Sequence, residues 1–161
     1  MTDPAFRDLY EREFPAVFRA AYALSGDREL AEDAAQEAFA RALSRWRRLS
    51  GEPWTAGWVT TTALNIVRRA MRRRPIKGPE RRDPVDEEEL LDLREAIASL
   101  PSRQQTAVIL YYLTGLPVRD VAASMQCREG TVKAHLSKGR AGIERQLHRQ
   151  VPAETKGDDD G

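Results

Sequence analysis

Apolar residues recur at three- and four-residue steps through most of this chain, and that spacing restricts it to α-helix. Between positions 28 and 46, Ala31, Ala34, Ala35, Ala38, Phe39, Ala42, Leu43 and Trp46 fall on one stripe, the buried face of a helix with 3.6 residues per turn. So many alanines on a stripe imply a neighbouring helix that approaches closely. Upstream, Thr2-Asp3-Pro4 is a start signal, a capping side chain followed by proline in the first turn. Phe6, Leu9, Tyr10, Phe14, Val17, Phe18 and Ala21 then share a face, and Pro15 inside the run predicts a kink or a restart. Gly26-Asp27 ends that helix and offers Asp27 as cap to the next. Ser50-Gly51-Glu52-Pro53 reads as a loop, and a third helix runs from about Thr55 to Arg74. No alternating strand pattern and no repeat occurs anywhere, so the expected fold class is all-α.

The helical pattern is interrupted once. Residues 75–87, PIKGPERRDPVDE, hold three prolines and a glycine and have no apolar period, which marks a linker. The expected organisation is a helical domain over 1–74, a flexible linker over 75–88, a second helical domain over 89–150 and an acidic, disordered tail over 151–161. Thirteen extended residues reach about 45 Å at most, beyond the roughly 34 Å of one turn of B-DNA. In the second domain Leu90, Leu93, Ile97 and Leu100 line a helix that stops at Pro101. A second helix over about 102–114 carries Ala107, Val108, Tyr111 and Tyr112 and stops at Gly115. A short one over 117–125 turns Val118, Val121, Ala122 and Met125 inward, and a long one begins near Glu129.

Charge is neutral in total and uneven in place. The formal net charge is +1, yet residues 68–82 carry eight basic side chains against one acid and residues 83–95 seven acids against one arginine. Residues 128–149 return to six basic against two acidic. Local basic stripes offset by acidic surface fit a nucleic-acid binder. Cys127 is the single cysteine and His135 and His148 the two histidines, which excludes an internal disulfide and leaves no ordinary zinc ligand set. No metal or cofactor is expected. No apolar run reaches spanning length and the first residues lack the pattern of a signal peptide, so a cytoplasmic location without membrane insertion is expected.

Three constellations carry function. The first is a helix-turn-helix over 117–140, in which Gly130-Thr131-Val132-Lys133 opens the second helix, the arrangement that delivers a helix N-terminus to the major groove. Burying Val132, Leu136, Gly139 and Ile143 turns Ala134, Ser137, Lys138, Ala141 and Arg145 outward, flanked by Thr131, Lys133 and Arg140. Small and basic side chains there permit close approach to bases and phosphates. The second is Asp33, Gln36 and Glu37 on the polar face of the alanine-rich helix; by physics alone this is an ordinary solvated face with pairs such as Glu37–Arg41. The third joins Trp54, Trp58, Asn65 and the arginines. Trp58, Asn65 and Arg72 repeat every seven residues on one face, suited to an unstacked base and its backbone, although the tryptophans read equally well as core. Five arginines in seven residues, Arg68, Arg69, Arg72, Arg73 and Arg74, favour phosphate contact. No phosphate-binding glycine loop or nucleophile–base pair supports an enzyme. A conventional helix-turn-helix regulator remains an alternative, since Thr131 to Leu136 also resembles the recognition helix of two-component response regulators. The N-terminal half, however, lacks the alternating strands and helices of their receiver domain. An interaction scaffold is a third reading.

The order of the three constellations resembles the extracytoplasmic-function (ECF) group of sigma-70-type RNA polymerase sigma factors. GDRELAEDAAQEAFARAL is similar to the family's second region, which docks on polymerase, and GWVTTTALNIVRRAMRRR to the segment that opens and reads the −10 element. Residues 93–147 resemble the fourth region, which reads the −35 element as duplex. The resemblance implies core RNA polymerase, promoter DNA and an anti-sigma factor as partners, and a role in promoter-specific initiation without catalysis. It makes Asp33, Gln36 and Glu37 polymerase contacts. Trp58, Asn65, Arg68, Arg69, Arg72, Arg73 and Arg74 become −10 contacts, and Arg128, Thr131, Lys133, Ala134, Ser137 and Lys138 −35 contacts. Four positions depart from the family pattern: Gln126 for a turn glycine, Arg128 for a capping serine, Arg69 for aspartate and His135 for arginine.

Overall fold

The computed structural model describes residues 2–73 and 88–150, and among these every regular element is a helix. The linker from residue 74 to 87, with Arg74, and the tail over 151–161 lie outside the described residues. Helix α1 spans Pro4–Ser25 and begins as its sequence specifies, with Asp3 Oδ1 accepting from the Ala5 amide at 2.8 Å. It runs unbroken through Pro15, which faces solvent, so no restart occurs. Gly26 adopts a left-handed conformation at its end (φ 65°), and Asp27 caps α2 (Arg28–Ser44) by accepting from Leu30 N at 3.1 Å. Cutting such a cap back to alanine typically costs about 1 kcal/mol. A single turn, α3 (Trp46–Leu49), leads into the loop. There the Thr55 hydroxyl donates to the Leu49 carbonyl at 2.6 Å and fixes the start of α4 (Thr55–Arg73).

α1, α2 and α4 pack as a three-helix unit through the alanine stripe, with Ala31, Ala34, Ala35, Ala38 and Ala42 all fully buried. Leu43, placed on that stripe by its spacing, is instead 44 % exposed, because Ala42 takes the inward position of the last turn and the next residue falls about 100° further round the helix. An aromatic group of Phe6, Tyr10, Phe14, Phe39, Trp46, Trp54 and Trp58 closes one end.

The C-terminal half consists of α5 (Glu88–Ala98), α6 (Ser102–Val108), α7 (Val118–Met125) and α8 (Glu129–Gln150). α6 does not continue as α-helix to residue 114. It passes into a π turn over Ile109–Leu113, closed by Thr114 N donating to Ile109 O at 3.2 Å. The wider turn keeps Ile109 and Leu110 buried and swings Tyr111, Tyr112 and Leu113 outward. The two tyrosines therefore do not belong to the core that their spacing indicated; Tyr112 accepts a hydrogen bond from Arg140 at 2.8 Å. Leu93 is likewise exposed on α5. Val121, Ala122, Met125, Val132 and Leu136 fill the angle between α7 and α8 as their pattern indicates. Gly139 lets α8 touch α6, since a Cβ there would lie 2.6 Å from a Val108 methyl.

The two halves share a core. Ile97 of α5 and Ile109 of the π turn pack in one cluster with Ala20, Ala21, Leu24, Leu64 and Val67 of the N-terminal half. Moving each isoleucine from water into such a site contributes about 1.5–3 kcal/mol. Arg94 completes this seam, its guanidinium 4.6 Å from the centre of the Tyr22 ring.

Candidate nucleic-acid interface

The helix-turn-helix that the sequence predicts is formed by two consecutive helices, α7 and α8. Arg128 in the turn and Thr131, Lys133, Ala134, Ser137 and Lys138 along the first turns of α8 are all exposed. Gln126 takes the left-handed conformation of the turn (φ 55°) that a glycine would adopt without strain. His135 sits beside this surface, and partial burial, then Arg103 and Lys138, pull its pKa below the usual 6.5, so it is neutral at pH 7.

The second surface lies on α4. Asn65, Arg69, Arg72 and Arg73 are exposed toward its C-terminal end. Arg68, in the same row, is not free for a nucleic acid. Its guanidinium donates to Gln105 Oε1 at 2.9 Å, to the Ser102 carbonyl at 3.0 Å, to Thr106 Oγ1 at 2.6 Å and to Asn65 Oδ1 at 2.9 Å. Three of the four acceptors belong to the C-terminal half. Burial, and next the neighbouring Arg72, pull the Arg68 pKa down to about 10, which leaves it a cation at neutral pH. Trp54 and Trp58 are half-buried, packed on the aromatic cluster by one side. They also line a groove of about 510 Å³ with Arg45, Arg48, Leu49, Ala123 and Gln126. The Arg45 guanidinium lies 5.7 Å from the centre of the Trp58 ring, a cation–π arrangement.

Asp33, Gln36 and Glu37 stand exposed on the outer face of α2, where Glu37 pairs with Arg41 at 3.1 Å. Sequence reasoning missed Ser102, Gln105, Thr106, Gly57 and Ser124. Ser102, Gln105 and Thr106 share one face of α6 at i, i+3 and i+4, but polar residues at that spacing look like a solvated face until their partner helix is known. Among the described residues no group of three metal-ligating side chains and no helix long and apolar enough to cross a membrane occurs.

Comparison with known proteins agrees with this layout. The family description Sigma-70 region 2 matches residues 9–75, and Sigma-70, region 4 matches residues 90–142. The chain is 31 % identical to the ECF RNA polymerase sigma factor SigE of Mycolicibacterium smegmatis, over 85 % of this chain and 59 % of that protein. It is 30 % identical to the RNA polymerase sigma-H factor of Pseudomonas aeruginosa, over 75 % of each chain. It thus spans somewhat more than half of the first relative and three quarters of the second. Its fold is similar to that of the sigma factor RpoE solved with the anti-sigma factor NepR from Bartonella quintana, with TM-score 0.68, 23 % identity and coverage of 90 % of this chain and 98 % of that one. Two basic helical surfaces, matched in order by the sigma regions that bear them, place this chain in the sigma-70 family of RNA polymerase sigma factors, within its ECF group.

Proposed function

We propose that this protein directs core RNA polymerase to particular promoters in the cytoplasm, catalysing nothing itself. Asp33, Gln36 and Glu37 dock on polymerase through the outer face of α2. Lys133, Ala134, Ser137 and Lys138, flanked by Arg128 and Thr131, read the −35 element as duplex. Trp58, Asn65 and the arginines from Arg68 to Arg74 hold the melted −10 strand, with opening driven by capture of exposed bases rather than by hydrolysis. An anti-sigma partner that covers one or more of these surfaces is part of this reading, since the similar RpoE structure is of a sigma factor with an anti-sigma factor bound.

The observation that carries the proposal is the pairing on one chain of an exposed, basic recognition helix with a second basic helix end. Two modest contacts on one promoter reinforce each other through effective concentration. The test is retention of core polymerase by the immobilised chain, followed by run-off transcription. Wild type is expected to retain polymerase, and Asp33→Arg/Glu37→Arg to lose at least tenfold in retention. Equal retention by both would remove α2 as the docking face.

A further inference from the structure

We propose that Tyr112 is a positioning residue for duplex binding: its phenol holds the Arg140 guanidinium at the rim of the recognition surface, where Arg140 takes a backbone phosphate. Both residues lie outside the set proposed above for the −35 element, and their roles rest on the same reading, that α8 meets duplex DNA.

Helix geometry puts Arg140 at the rim. Lys133, Ser137 and Arg140 follow one another at four and three residues, so they form one edge of the exposed face of α8. The seven residues from Lys133 to Arg140 rise by about 10 Å, close to the roughly 12 Å width of a B-DNA major groove. With the first turn of α8 among base edges, Arg140 therefore reaches the sugar–phosphate backbone that borders the groove.

The π turn supplies its partner. The wider turn over Ile109–Leu113 keeps Ile109 and Leu110 buried and leaves Tyr112 49 % exposed beside α8. Single π turns of this kind are frequent at functional sites. Two contacts hold the ring. The Thr114 hydroxyl donates to the Leu110 carbonyl at 2.6 Å and secures the turn, and Tyr111 packs edge-on against Tyr112 with ring centres 4.9 Å apart. The phenol oxygen then accepts from Arg140 Nη1 at 2.8 Å. Among the described residues this is the one hydrogen bond of the Arg140 side chain, and no ion pair accompanies it. A phenol orients a guanidinium without neutralising it, as a carboxylate in its place would. One of the five N–H donors of Arg140 is engaged, and four remain for a phosphate, which a guanidinium meets through paired charge-assisted bonds. Fixing the side chain beforehand also removes rotamer freedom that a loose arginine would lose on contact.

The test measures binding of the full chain to a fluorescent duplex of mixed sequence over a range of salt concentrations. Arg140→Ala is expected to weaken binding about tenfold and to lower the salt slope by about one. Tyr112→Phe keeps the ring and removes only the hydroxyl. It is expected to weaken binding about threefold to tenfold, to leave the urea midpoint unchanged, and to add nothing in the Arg140→Ala background. Where Arg140→Ala shifts the urea midpoint, Arg140→Gln, which keeps most of the stem, takes its place. Full affinity in Tyr112→Phe, an equal further loss from it in the Arg140→Ala background, or a wild-type salt slope in Arg140→Ala would each overturn the proposal. In those cases a loss from Lys133→Ala leaves α8 as the duplex reader. If Lys133→Ala, Lys138→Ala and Arg140→Ala all bind as wild type does, the duplex reading itself fails and Arg140 has no phosphate to take.

Discussion

α4 and α8 are both amphipathic helices with a basic surface proposed to face nucleic acid, yet they stand in opposite conditions. On α8, every residue proposed for the −35 element is exposed, and the helix is held from behind by Val132, Leu136 and the close approach at Gly139. On α4, the central arginine of the proposed −10 surface is spent on Ser102, Gln105 and Thr106, and Trp58, with Trp54 just before the helix, is half-buried beside a groove that α7 also lines. The difference fits the states of the DNA. On the proposed reading, a duplex element is present before any opening and its reader stands ready, whereas a single strand exists only after melting and its reader is tied to the packing of the two halves.

The largest expected effect breaks the shared core. Ile109→Ala should cost about 2–5 kcal/mol, the usual range for a buried isoleucine cut to alanine. Because Ile109 packs on Leu64 and Val67, urea unfolding followed separately in each half should shift in both. A shift confined to the C-terminal half would mean that the halves do not share stability. Next, Lys133→Ala and Lys138→Ala should each weaken duplex promoter binding about tenfold and reduce the salt slope by about one, while Arg68→Ala leaves duplex binding unchanged. Equal losses from all three would erase the contrast between the helices.

Smaller effects sharpen the turn that aims α8. Gln126→Gly should stabilise the protein by about 1 kcal/mol in urea unfolding, since a left-handed backbone strains a residue with a Cβ and not glycine. The smallest concerns His135. Its folded pKa lies below 6.5, so the unfolded chain takes up the proton first as pH falls. The stability it contributes is complete above about pH 6.5 and is lost as pH drops through the lowered folded value. His135→Gln should therefore show a smaller loss of urea midpoint between pH 7.5 and pH 5.5 than wild type; equal losses would show that His135 is not held neutral by its surroundings.

Much of this molecule is legible in its order of residues. The caps at Asp3 and Asp27, the end at Gly26, the alanine stripe and the helix-turn-helix all follow from interactions spanning a few positions, and the structure has each of them. Local rules fail where two packings compete. Pro15 is accommodated within α1 at an exposed position, and the π turn at Ile109 moves Tyr111 and Tyr112 off the face that their spacing assigns.

What the sequence determined by itself was the helical class, the two-part division, the capped helix starts at Asp3 and Asp27 and the residue chemistry of both basic stretches, because capping and periodicity are local. Tertiary structure alone decided that the halves meet, that Gly57 leaves no room for a Cβ against Ser124 and that Arg68 is committed to neutral oxygens 34 to 38 positions away. Those contacts depend on how separate helices are placed in space. No periodicity within either half encodes that placement.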